Sequence, residues 1–339
     1  MNKPPESFEP AAINAFAFDD ENQRNVVFQE VVDQQAVKAD HDQQFSAIHA
    51  NRDFGDEGSI VRLVSVFGNT GVTDQQYVAA QYAAAFPQRE YIALDLPGHG
   101  KSDSLTTTQR KAIKKDGDLG LVAGAQLEAA LKLNPNLNDI VLAGEGVGQL
   151  MAVEFAAQAL QRGIAVRHIF GFDPMLEERS PLGLAASYLA NAQKSRNERK
   201  QETDRAGEQK LEDAFSKEFT QAIQAFGPTS EVTRPQHVAV MARERTILKF
   251  MFRKSSFTLG RGLETLEQVL DTDPKLRANM LFAGRSVVGR LTDPIQDKLD
   301  AIKLDTDGRL QYDVWPNDNQ DIGLARHQPR LVAYVKDNL

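Results

Sequence analysis

The chain has 339 residues, 41% of them hydrophobic, no cysteine, and a formal net charge of −8. That length suits one large α/β domain with an insertion, or two domains. The lack of cysteine excludes disulfides, thiolate catalysis and Cys-ligated zinc, and the acidic balance argues against nucleic acid, whose phosphates are neutralised by Lys and Arg.

Residues 1–24 read as an irregular N-terminal extension, Pro-rich and then acidic. They hold no apolar segment of the secretory kind, and no run in the chain reaches the ~18 apolar residues of a membrane span. A soluble cytoplasmic protein is expected, with no membrane partner. Val26, Val27, Phe28, Val31 and Val32 suggest a strand over Asn25–Gln34, Phe45–Arg52 a second, and Ser59–Phe67 a third after a turn at 53–58. Strands and helices then alternate. Helices are expected over Asp74–Phe86, Asp118–Leu133 and Val147–Arg162, and strands over Glu90–Leu96, Asp139–Ala143 and Val166–Phe172. This alternation implies a mostly parallel central sheet with helices on both faces.

From 175 to 278 the pattern is helical with no clear strand. Leu211, Phe215, Phe219, Ala222, Ile223 and Phe226 recur at spacings of three and four, whereas Gln193–Lys210 is almost wholly polar. The alternation resumes with a strand at Asn279–Gly284, a helix at Asp293–Ile302, a strand at Arg309–Trp315 and a helix at His327–Asn338. The expected organisation is a core of 25–174 and 279–339 interrupted by a helical cap or lid at 175–278. Basic residues Arg243, Arg245, Lys249, Arg253, Lys254 and Arg261 alternate there with apolar ones. That pattern suits an amphipathic cap helix with snorkelling side chains, or a surface for an acidic partner.

Three glycine-containing turns follow strands in a fixed order. The first is Val66-Phe67-Gly68-Asn69-Thr70-Gly71. The second is Asp95-Leu96-Pro97-Gly98-His99-Gly100-Lys101-Ser102. The third is Gly144-Glu145-Gly146-Val147-Gly148. Together they resemble the α/β-hydrolase superfamily, whose pattern runs from an H-G type loop through D-x-P-G-x-G-x-S to a nucleophile elbow, G-x-S-x-G. The resemblance covers roughly residues 25–339 and implies a capped α/β-hydrolase fold. A dinucleotide fingerprint fits less well, because Gln149 stands where its third glycine belongs and the cluster follows a late strand.

At the centre of the elbow, where the family carries serine, this chain has Gly146. The family's histidine is expected after the last strand, seven or so residues before the Pro that opens the final helix. Counting back from Pro329 gives Ile322, and the nearest histidine is His327. The loop at 284–289, where the family's acid commonly stands, has no carboxylate. Glu145, Asp173, Asp321 and His327 are the remaining candidates for acid, base or displaced-triad chemistry. Triad members act as a unit, and binding plus the oxyanion hole retain only about 10³–10⁴-fold over water.

The resemblance therefore implies an inactive pseudo-hydrolase, with a degenerate triad, that serves as a binding or structural module. Its protein partners would lie in a larger assembly, a virion or other particle being one setting. One alternative is an active hydrolase or esterase with serine-independent or displaced-triad chemistry. Another is a sensor holding a small ligand at Phe67, Gly68, Gly146 and Val147. No cofactor is expected. No metal site is expected either, since the six histidines show no ligand spacing.

Overall fold

The computed structural model describes residues 34–39, 43–51, 57–64, 78–79, 81–83, 85–97, 102–174, 176, 255–284, 291–316 and 328–339. Among these, eight strands form one sheet: β1 Gln34–Lys38, β2 Gln44–Ala50, β3 Ser59–Val64, β4 Glu90–Asp95, β5 Asp139–Glu145, β6 Ala165–Phe172, β7 Arg277–Ala283 and β8 Leu310–Trp315. Their order is β1-β2-β4-β3-β5-β6-β7-β8. β2 pairs antiparallel with both β1 and β4, and every pairing from β4 to β8 is parallel. The chain goes from β3 to β4 on one side and then to β5 on the other. That reversal is the topological switch point of an open α/β sheet, where a crevice forms outside the carboxyl ends of the strands.

Among the described residues six helices are bounded: α1 Thr107–Asp116, α2 Gly120–Leu133, α3 Val147–Gln161, α4 Ser255–Thr272, α5 Asp293–Asp305 and α6 Gln328–Asn338. Residues 78–79, 81–83 and 85 are also helical. The inner strands β4, β5, β6 and β7 are largely buried on both faces, as a sheet covered on both sides requires. Val61, Leu63, Ile140 and Leu142 pack with α2, α3, α4 and α5 in one cluster. Ile60, Val141 and Ala143 face the other way, against Val78, Tyr82 and Leu331, Val332 and Val335 of α6.

Several expectations need correction. The first described strand is Gln34–Lys38; of the strand expected over Asn25–Gln34, residues 25–33 lie outside the described residues. β7 begins at Arg277, inside the span assigned to the cap. Helix α4 also falls in that span, yet its Leu263, Leu266, Val269 and Leu270 belong to the main core. Their spacing makes one apolar face, which packs on α3 at Leu150 beside Gly262. The rest of the span expected to form a cap, residues 175 and 177–254, lies outside the described residues. Helix α1 escaped the sequence reading because it buries only Gln109 and Ile113. Its signal was the capping box: Thr106 accepts from the Gln109 amide, and the Gln109 side chain accepts from the Thr106 amide. Gly117, at φ 66°, ends it. No described helix is long and apolar enough to cross a membrane.

Candidate functional site

β5 runs to Glu145, and α3 begins at Val147, so Gly146 makes the whole turn. Its backbone stands at φ 54°, ψ −115°, on the side of the map that glycine tolerates and L side chains resist. The Gly146 amide donates to the Phe172 carbonyl at 2.9 Å, tying the turn to the end of β6. Gly144 is needed for a different reason. A Cβ there would stand 2.2 Å from the Gly148 carbonyl oxygen, so this glycine lets strand and helix meet at close quarters. The elbow backbone is thus fully formed around a residue with no side chain.

The turn lies at the carboxyl edge of the sheet, and α3 points its N-terminus there. The first-turn amides of a helix have no intrahelical acceptor, so the Val147 end favours an electron-rich group.

The two described carboxylates near the turn are both engaged. Glu145 is buried, and its Oε2 lies 3.6 Å from Nη2 of Arg62 in the centre of β3. Asp173 follows β6 at φ 45° and is also buried. Its amide donates to the Leu281 carbonyl at 2.7 Å, and its Oδ1 accepts from the Ala283 amide at 3.3 Å. These bonds clamp β6 to β7. The Glu145 and Asp173 side chains thus hold the sheet together around the turn.

Pro97 and Ser102 flank the loop after β4, and Ser102 Oγ donates to the Asp95 carbonyl at 3.3 Å. That bond ties Ser102 back to the end of β4. Phe67, Gly68, His99, Asp321, Ile322, His327 and the loop 285–289 lie outside the described residues. The described site therefore consists of Gly146 and Val147, with Glu145 and Asp173 supporting it.

Sequence reasoning missed Arg62. It is 2% exposed, with Tyr82 and Tyr91 beside it. Its guanidinium lies 6.0 Å from the Tyr82 ring centroid, and the two phenol rings are 5.3 Å apart. Burial alone would lower the Arg62 pKa, but Tyr91, Tyr82 and Glu145 outweigh it and raise it, so the side chain stays charged. The available signal was a lone arginine in an otherwise apolar strand.

A second buried cluster contains serine, histidine and a carboxylate, but it is not a triad. Ser59 Oγ donates to Glu90 Oε2 at 2.5 Å, His49 Nε2 lies 2.5 Å from Glu90 Oε1, and Asn134 Nδ2 donates to Oε2 at 2.7 Å. Serine and histidine both bond the carboxylate, so the imidazole is not placed to take the serine proton. Ser59 and Glu90 also open β3 and β4, at the end of the sheet away from the elbow.

No family model matches the chain, and no curated protein matches it. Among solved structures, the Pyrococcus furiosus esterase Pf2001 is 11% identical, covers 91% of this chain and 92% of its own, and has a TM-score of 0.51. A thermophilic esterase from Thermogutta terrifontis is 14% identical over 90% of this chain and 97% of its own, with a TM-score of 0.47. A thioesterase domain from the curacin biosynthetic pathway is 16% identical over 90% and 99%, with a TM-score of 0.48.

Proposed function

We propose, starting from the α/β-hydrolase fold that this chain has, that it binds a ligand or partner at the elbow and does not cleave by serine acyl transfer. One observation carries this reading: the elbow backbone is kept at Gly146, where the side chain that would attack is absent. Acyl transfer needs a nucleophile at the head of the turn and a base beside it. Glycine supplies no nucleophile, and the Glu145 and Asp173 side chains are held by Arg62 and by the Ala283 amide of β7. The N-terminus of α3 remains suited to an electron-rich group. Function resides in the site and not in the fold, so a binding module in a protein assembly is consistent with the same backbone.

A hydrolase whose reactive group is not residue 146 is the second reading. It is favoured by the fold shared with an esterase over nine-tenths of both chains, and would draw on Glu145, Asp173, Asp321 or His327. One experiment separates the two. The purified protein is offered short-chain aryl esters and thioesters and a serine-directed fluorophosphonate, with heat-denatured protein as control. Turnover above that control establishes the hydrolase reading. No turnover, with calorimetric binding of short carboxylates or a co-purifying partner by light scattering, is the result expected for a binding protein.

A further inference from the structure

Arg62 sits at the middle of the sheet, on the face covered by the helical residues 78–79, 81–83 and 85 and by α6. Its Nη1 makes no hydrogen bond of normal length and angle, and neither does the hydroxyl of Tyr82 or of Tyr91, although the Tyr91 hydroxyl is close enough to Arg62 to interact with it and leaves its own proton to donate. All three residues are at most 2% exposed. An orphaned buried donor is costly and calls for an acceptor. Every unmatched group here can donate. Burial pushes both phenols up against the opposing pull of Arg62, so they keep their protons at neutral pH. Glu145 answers the guanidinium on its other nitrogen, at 3.6 Å, which is longer than a charge-assisted hydrogen bond. An arginine has five N–H donors and can serve more than one acceptor.

We propose that Arg62 Nη1 and the Tyr82 and Tyr91 hydroxyls form an internal site for a small monovalent anion of halide size. The species must bring acceptor capacity and negative charge, because the cluster presents donors around a cation. It must be small, because the surrounding residues (Ile60, Ala93, Val141 and Ala143) are packed core. Arg62 pairs with Ala143, two strand residues before Glu145 on the same face, so the occupant shares Arg62 with the side chain that precedes the elbow. The inference is independent of whether the elbow binds or cleaves.

Two measurements test it on the full chain. Crystals grown in sodium bromide are expected to show an anomalous peak within hydrogen-bonding reach of Arg62 Nη1. In solution, the thermal midpoint is expected to rise with the logarithm of chloride or bromide concentration, as linkage requires, at ionic strength held constant with sodium gluconate. Tyr82→Phe and Tyr91→Phe each remove one donor and are expected to weaken the halide response about tenfold in concentration. A map without a bromide peak at Arg62 overturns the proposal. So does a bromide peak in crystals with no halide-specific response in solution, or a response unchanged in both variants.

Discussion

Gly146→Ala tests the elbow directly. At φ 54°, ψ −115° an L side chain carries strain of about 1–3 kcal/mol. The same substitution stiffens the unfolded chain, which stabilises the fold by about 0.4–1 kcal/mol. The expected net loss is therefore about 1–2 kcal/mol from the two opposed effects. Two other glycines bracket it. Gly163 has φ 76° and nothing within 4 Å of where a Cβ would stand, so Gly163→Ala reports backbone strain alone. In Gly144→Ala the new Cβ would fall 2.2 Å from the Gly148 oxygen. β5 and α3 would have to separate, at a cost above about 4 kcal/mol or with failure to fold. Urea unfolding of the four proteins, read at constant m, should rank Gly144→Ala far below the rest, with Gly146→Ala and Gly163→Ala close together. A Gly146→Ala protein as stable as the parent would refute the reasoning, since the turn could not then be held in this conformation.

Gly146→Ser should give a folded protein without esterase activity on aryl esters, because Glu145 and Asp173 are already engaged; activity in that variant would show that a base reaches residue 146. His168, buried and stacked on Phe170, bonds Asn279 through Nε2 at 2.6 Å, and burial pulls its pKa down to about 4. The unfolded chain then binds the extra proton between pH 6.5 and 4, so the stabilisation present above pH 6.5 is lost as the pH falls. By linkage this is about 2 kcal/mol between pH 7 and pH 5, and it should be missing from the pH–stability curve of His168→Gln. For Glu90, burial alone would raise the pKa, but hydrogen bonds from His49, Ser59 and Asn134 lower it. Its stabilisation is present above the unfolded carboxylate's pKa and is lost as the pH falls through the folded value. Ser59→Ala, removing one of those bonds, should cost about 1.5–3 kcal/mol at neutral pH and move the acid unfolding midpoint upward; an unchanged midpoint would mean that Glu90 does not depend on this bond.

The local grammar of this protein was readable in its residues. Alternating apolar runs marked the strands from β2 to β8, and Gly144, Gly146 and Gly148 marked the elbow, because turn geometry depends on residues a few positions apart. That residue 146 carries no nucleophilic side chain needed no coordinates. What the tertiary structure decided were the partnerships made across the sheet. Arg62 meets Glu145 only because β3 lies beside β5, and Asp173 is occupied only because β7, more than a hundred residues on, brings Ala283 to it. Helix α4 reads as cap by its place in the chain, yet it is core, because its apolar face has α3 to pack on. Ser59, His49 and Glu90 would pass for a catalytic set by residue type. Only the pairing of β2, β3 and β4 shows that the carboxylate, and not the histidine, holds the centre, and hydrogen-bond geometry of that kind is set by contacts that sequence spacing does not encode.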